Sequence, residues 1–392
     1  MHKYVHDTLR NNLRSICASL TRPQQKTVEE SMRVFFSAGK PSLRTLAQYD
    51  DLTMKKQAEN YSYHLGNIHL TERVDALAFR KAKRGLRKDT IIAYDCTDIS
   101  KEYATKMERL SDTFDGSRRQ PSPGFLLHGV GMNNVLLKLH VHDAYQQTAN
   151  QTRHHIVQKL SGKLHGKCIW VFDRGNDDKQ FFRNCRQVHD IRFIARLREE
   201  RHVIIAKTGE NLCVKNLPGG VHVVWLPGEN ERGTDWGIGL MTVVVHNHLE
   251  NQEPSRLITN LRWQDYGVQK IVNMYCDRWG IENIFRRAKT KVNIEAIRVL
   301  KYQKFVNLIA LIQLAVLVST ITFLAIQEST QTLVIGVLSL YELFLNKRAL
   351  RFNGDSFIAF MQSSLKPLSR RHERSPPKQM RLFSWRQEMK MA

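Results

Sequence analysis

Acidic side chains are scarce in this chain. Against 60 Lys and Arg there are 37 Asp and Glu over 392 residues, a formal charge of +23. An excess of that size predicts a polyanionic partner, with nucleic acid first in line. Cysteine is also sparse: Cys17, Cys96, Cys168, Cys185, Cys213 and Cys276 lie far apart with no Cys-x-x-Cys pair. That spacing excludes a disulfide framework and a zinc module, and it predicts reduced thiols and a cytoplasmic setting. The first residues lack the apolar run of a secretory leader. Other chemistries drop out in turn. Gly162-Lys-Leu-His-Gly166-Lys167 is one residue short of a phosphate loop, has Cys168 in place of Ser or Thr, and precedes a strand pattern where such a loop follows one. His154-His155 has no further ligand at metal spacing, and no Ser or Cys nucleophile elbow is present. No internal repeat is found. One apolar stretch, Phe305–Ile326, has 22 residues without a charge and is long enough to span a bilayer. Its Asn307, Gln313, Ser319, Thr320 and Thr322 favour a buried core helix, and no membrane partner is expected.

What charge there is sits at the ends. Residues 1–90 hold 17 Lys and Arg against 9 Asp and Glu, and residues 346–392 hold 11 against 3, leaving +7 over residues 91–345. The ends read as DNA-gripping appendages around a less charged core. Residues 1–90 carry helical periodicity at Thr27–Ala38, Leu43–Gln48 and Leu52–Leu65. The last two are compatible with a helix-turn-helix, and Lys81–Lys88 reads as a basic linker. From residue 91 the pattern changes to strands: Ile91–Cys96, Phe125–Met132 and Leu136–Val141. A helix at Asn150–Leu160, a strand at Cys168–Phe172, a helix at Asp178–Val188 and a strand at Arg192–Arg198 follow. Between about 200 and 262 the sequence is strand-rich, with Pro227–Gly237 as a hairpin tip. Helices at 302–327 and 331–346 and a basic tail complete the chain.

The segment Tyr275–Lys289 is the most informative. On one continuous helix at ~100° per residue, Tyr275, Arg278, Glu282 and Lys289 fall along one side, and Arg286 joins them. Met274, Ile281, Ile284, Phe285 and Ala288 occupy a neighbouring face that can pack inward. A single carboxylate among cations suits a site where a metal neutralises the acid and the cations grip phosphate. A merely solvated charged face fits the same spacing.

This segment resembles the Y-(2)-R-(3)-E-(6)-K signature of DDE transposases encoded by bacterial insertion sequences, and it matches at all four positions. Two further acids stand in the family's order: Asp95 in the first strand, within Asp95-x-Thr97, and Asp173 after the fourth, within Asp173-Arg174-Gly175. Asp98 is a local competitor to Asp95, and the family pattern favours Asp95. The resemblance implies an α/β fold with a ribonuclease-H-like catalytic domain interrupted by a β-rich insertion. The resemblance covers roughly residues 90–300; outside it, basic charge and helical periodicity predict an N-terminal helical DNA-binding domain, and C-terminal helices follow. The corresponding domains are 1–90, 91–200, 201–262, 263–300 and 301–392. It also implies that Asp95, Asp173 and Glu282 bind two Mg²⁺ or Mn²⁺ ions and catalyse DNA cleavage and strand transfer. Tyr275, Arg278 and Lys289 would contact DNA phosphates, and Arg174 and Arg286 would add to them. Trp225 or Trp236 would stack on a flipped base. The implied partners are double-stranded DNA, as transposon inverted repeats and target, and a second copy of the chain in a synaptic complex. Two readings stay open beside this one: a ribonuclease-H-fold nuclease without strand transfer, and a non-catalytic DNA-binding protein derived from a transposase.

Overall fold

A computed structural model describes residues 2–38, 43, 54–115, 120–132, 135–164, 166–228, 238–247 and 253–328. The helix expected at 43–48 beyond Leu43, the hairpin tip beyond Gly228, Trp236, the helix at 331–346 and the basic tail lie outside the described residues. Contacts divide the chain into two units: residues 78–105 with 109–286, and residues 1–77 with 106–108 and 287–392.

The first of these units is built on a mixed sheet. Its strands are β1 (Thr90–Ser100), β2 (Ser111–Asp115), β3 (Gln120–Met132), β4 (Val135–Val141), β5 (Cys168–Phe172) and β6 (Arg192–Arg196). Then come β7 (His202–Ile205), β8 (Asn211–Cys213), β9 (Gly220–Trp225), β10 (Met241–His246) and β11 (Ser255–Thr259). The order is β2-β3-β1-β5-β6-β11-β10-β9-β7-β8, with β4 also on β3. β1 runs parallel to β5, and β5 parallel to β6. β3 is antiparallel to both β1 and β4. The strand-rich stretch after residue 200 extends this sheet, since β11 pairs with β6 through Leu257–Arg196 to Thr259–Ile194.

Strand β5 is buried along its whole length, as a strand covered on both faces requires. Its side chains alternate between two layers. Trp170 and Phe172 face the aromatic layer, where Phe172 meets Phe181 of α6 (Lys179–Gln187) at 4.9 Å between ring centroids. Phe182 stacks on Phe193 of β6 at 5.4 Å. Side chains buried like these each contribute about 1.5–3 kcal/mol of transfer free energy. Ile169 and Val171 face the opposite layer, packing with Ile194, Val244 and Leu257 beneath Ile271, Val272 and Met274. Those last three come from α8 (Val268–Cys276), which follows the short helix α7 (Trp263–Tyr266). Helix α5 (Ala149–Leu164) connects β4 to β5.

The Tyr275–Lys289 stretch departs from the single helix expected. It is two helices, α8 and α9 (Trp279–Thr290), joined at Asp277 and Arg278. There Arg278 N–H bonds the Tyr275 carbonyl, Gly280 N–H that of Asp277, and Ile281 N–H that of Arg278, all i→i+3. Three residues per turn replace 3.6, and across this turn the Arg278 guanidinium still lies 5.7 Å from the centre of the Tyr275 ring.

The described residues of the second unit are mainly helical. It contains α1 (His2–Cys17), α2 (Arg22–Ala38), α3 (Met54–Gly66), the first half of α4 (Thr71–Lys83) and α10 (Tyr302–Glu328). Lys81 to Lys83 form the last turn of α4, so the basic linker begins as helix. Helix α10 carries the long apolar run, and 89% of its most apolar window is buried within the protein. By length and composition alone it would pass for a membrane span. Its Asn307 is wholly buried and fully used: the amide donates to the Leu65 and Ile68 carbonyls at 2.8 and 2.7 Å, and the oxygen accepts from Leu70 N–H at 3.1 Å. The N-terminus of α10 is met by Glu108, which accepts from Tyr302 N–H at 2.9 Å, where a helix dipole favours a negative charge.

Candidate active site

The site follows from strand parity and register. Tyr94 of β1 pairs with Phe172 of β5 in a parallel ladder. The next residue on each chain is an acid, Asp95 and Asp173, so the two stand on neighbouring paths about 4.8 Å apart in the backbone. Counting by twos from Ile169 and Val171, and from Ile91 and Ala93, puts both acids on the layer covered by α8. Asp98, an odd number of residues beyond Asp95, faces away.

Helix α9 is brought close to β3 by two glycines. Gly129 and Gly131 lie opposite Asp95 and Ala93 in the antiparallel pair. A Cβ on Gly129 would come within 2.3 Å of the Phe285 ring, and one on Gly131 within 3.3 Å of Ile281. With Ile281, Ile284 and Phe285 buried, Arg278 and Glu282 are turned toward Asp95. Arg278 donates to Asp95 at 3.0 Å and to Glu282 at 2.5 Å. Its side chain is 10% exposed, against 15% for Asp95 and 38% for Glu282, so the Asp95 arm of the bridge is shielded from solvent and the Glu282 arm is open to it.

The electrostatics reflect this crowding. Asp95 is pushed up to about 7, first by burial and then by Asp173, with Arg278 and the Cys96 N–H pulling the other way and Glu282 adding to the rise. Arg278 is raised; burial opposes its charge, and Tyr275, Asp95 and Glu282 more than offset that cost. Tyr275 is buried in the apolar layer, with the Arg278 guanidinium 5.7 Å from its ring centre. Its hydroxyl is raised by burial, against the pull of Arg278 and Arg196.

Asp173 begins a short 3-10 turn, Arg174–Asn176, without capping it by its side chain. Its carboxylate instead accepts from the Asn176 amide. Arg174 is exposed. Farther along α9, Arg286 is exposed and Lys289 pairs with Glu295 at 3.6 Å. Trp225 is half-buried on β9; Trp236 lies outside the described residues.

Three carboxylates make an all-oxygen donor set of the kind that hard divalent cations take; Asp95 is raised first by burial and then by the neighbouring Asp173, and a bound cation would offset both. As they stand, no three His, Cys, Asp or Glu among the described residues are grouped closely enough to hold an ion. Between Asp95 and Glu282 the counter-charge is Arg278.

A second charged feature belongs to the helical unit. A hollow of about 460 Å³ between α1 and α2 is lined by Arg10, Arg14, Arg22 and Arg33, with Glu29 also on its wall. The periodicity of residues 1–90 does not single it out, because α1 is not among the helices expected there. Sequence reasoning also missed Gly129 and Gly131. Only their position opposite Asp95 and Ala93 in the β1–β3 register gives them meaning.

Residues 87–318 match the family described as the transposase DDE domain, and the chain belongs to that family. Among solved structures, the cryo-EM structure of a piggyBac transposase synaptic complex with hairpin DNA is similar over 89% of this chain and 73% of that one. The identity is 10% and the TM-score 0.42. No curated protein matches the sequence.

Proposed function

We propose that this transposase binds the inverted ends of a mobile element, hydrolyses phosphodiester bonds there, and transfers the freed 3′-hydroxyl ends to target DNA. The single observation that supports this best is the convergence on one face of the sheet: Asp95 within β1 and Asp173 after β5 each follow the last parallel pair, Tyr94 with Phe172, and Arg278 links Asp95 to Glu282. The strand order β4-β3-β1-β5-β6, with β3 alone reversed, supports a ribonuclease-H-like core carrying β7 to β11 as its insertion.

In this reading Asp95, Asp173 and Glu282 are the catalytic acids and hold Mg²⁺ or Mn²⁺, two ions in the full complex. When bound, such ions supply the charge that activates the attacking oxygen and stabilises the leaving one. Arg278 keeps the acids paired in their absence, and once released it is a cation placed for the scissile phosphate. Tyr275 lends a hydroxyl beside it. Lys289, Arg286 and Arg174 contact the DNA backbone, and Trp225 or Trp236 offers an indole face to an unstacked base. The arginine-lined hollow between α1 and α2 receives the backbone of the element's end, giving residues 1–90 their DNA-binding role. Two copies of the chain hold the two ends, and the protein works in the cytoplasm without a membrane.

The test is a supercoiled donor plasmid incubated with the protein and Mg²⁺. Asp95→Asn, Asp173→Asn and Glu282→Gln are each expected to abolish cleavage while retaining binding to the inverted ends. Cleavage at the parent rate by any of them overturns the assignment. Cleavage by the parent without strand-transfer products would leave a nuclease that does not join.

A further inference from the structure

The acid Asp173 has an anchor that runs through the protein interior. Asn176, 6% exposed, donates its amide hydrogen to the Asp173 carboxylate. The Asn176 oxygen in turn accepts from Arg153 of α5 at 3.0 Å. Arg153 is 4% exposed. Its second arm donates to Asp178 at 2.9 Å, and its guanidinium carbon lies 3.9 Å from the centre of the Phe181 ring. Asp178 caps α6 by accepting from Phe181 N–H at 3.2 Å. The fork is therefore fixed at three points: a side-chain amide, a helix cap and an aromatic face.

The chemistry of the groups gives this chain a direction. A guanidinium has donors and no acceptor, so the Asn176 side chain must present its oxygen to Arg153. Its NH₂ group is then committed to the other side, where Asp173 stands. Without Arg153 the amide is free to turn over and present an oxygen to the carboxylate, which is repulsive. Such outer partners orient the groups that contact a cation and tune their strength.

We propose that Arg153 and Asn176 are positioning residues that fix the rotamer of Asp173, so that its carboxylate meets a divalent cation ready oriented. The inference rests on Asp173 being a metal ligand, as in the function proposed above. It adds two residues that neither touch DNA nor bind the ion themselves, one of them 20 residues before Asp173 in the chain.

The test measures Mn²⁺ binding directly, by electron paramagnetic resonance of the free ion, on the full chain with an end-bearing DNA duplex. Asp173→Asn serves as the reference for loss of the ligand. Asn176→Ala and Arg153→Met are each expected to weaken Mn²⁺ binding by about tenfold or more. The Mg²⁺ concentration for half-maximal cleavage should rise in proportion, while cleavage at saturating metal and affinity for the duplex stay near the parent values. The double variant should bind Mn²⁺ no more weakly than the worse single one, because the two act in series. Mn²⁺ binding within about twofold of the parent in either folded variant overturns the inference, since that is the scatter of unconnected sites. Arg153→Lys, which keeps a cation but cannot fork between Asn176 and Asp178, replaces any variant that does not fold, under the same criterion. If Asp173→Asn binds Mn²⁺ like the parent, the metal-ligand role of Asp173 fails, and this inference fails with it.

Discussion

Replacing Arg278 by Gln leaves Asp95 and Glu282 without the cation that each bonds. Loss of one partner of a shielded pair costs about 3 kcal/mol, and here the cost depends on pH. Asp95 already titrates near 7, and without Arg278 its carboxyl goes higher, so in mild acid it is protonated and needs no counter-charge. Urea unfolding of the metal-free Arg278→Gln variant should therefore show a loss of about 3 kcal/mol at pH 8 and a clearly smaller one at pH 6. Equal losses at both would show that Arg278 acts by packing alone. Behind the acids, His128 and His140 give the opposite sign. Burial first and neighbouring cationic groups second lower them to about 3 and about 4. His128 Nδ1 bonds the Tyr94 hydroxyl at 2.5 Å, and its Nε2 is buried without a hydrogen-bond partner among the described residues. Their folded values lie below the unfolded 6.5, so the unfolded chain binds protons first as pH falls. The stability they contribute is whole above 6.5 and drains away toward pH 4. His128→Phe should flatten the fall of melting temperature between pH 6.5 and 4.5; an unchanged slope would assign the acid lability elsewhere.

At the scale of elements, helix α9 is held where a missing side chain lets it settle. Gly129→Ala puts a methyl into the Phe285 ring, which is itself buried, and overpacking of that kind costs about 1–3 kcal/mol. Because the same helix presents Glu282, cleavage should fall more than the loss in unfolding free energy accounts for. A variant that is less stable but fully active would show that α9 adjusts without moving its acid. In the helical unit, Asn307→Ala strands two carbonyls and one N–H in the core, each worth about 1–3 kcal/mol when left unsatisfied. A thermal melt of the variant is expected to drop by several degrees; no drop would mean that water reaches these groups.

The same elements show how much the sequence makes legible. β5 is found at Cys168–Phe172, as expected, because an unbroken apolar run between turn formers has few other uses. Asp173 can be picked out because it follows an apolar strand directly, whereas Asp95, inside β1 with Asp98 close by, is singled out only by the family pattern. The break at Asp277–Arg278 is not legible, since the helical periodicity of Tyr275–Lys289 carries no sign of the i→i+3 bonds that over-wind it. Arg153 gives no local signal either. It reads as one more polar residue of a surface helix until α6 brings Phe181 and Asp178 against it. Asn176 has a faint signal, three residues past Asp173 in the same turn, but the amide's partner has to come from a distant helix.

For the whole molecule, a charge of +23 makes DNA affinity a strong function of salt. Binding to an inverted-end duplex should weaken along a straight line in logarithmic coordinates, steeper with each phosphate neutralised. Replacing Arg10 and Arg14 by Ser should reduce that slope by about 1 for each phosphate left without its arginine, which anisotropy titrations between low and moderate salt can read. An unchanged slope would place the DNA-binding surface away from the hollow between α1 and α2.

The pairing of Tyr94 with Phe172 has a genetic consequence. Because side chains of a strand alternate in direction, the acids are inherited as a phase along β1 and β5 as much as two positions. Losing one codon between Thr90 and Asp95 would swing the carboxylate into the aromatic layer beside Phe172. Losing two would restore its direction and shorten its reach by a single strand repeat. Frame-preserving deletions in these short stretches should therefore be tolerated by evenness before they are tolerated by size.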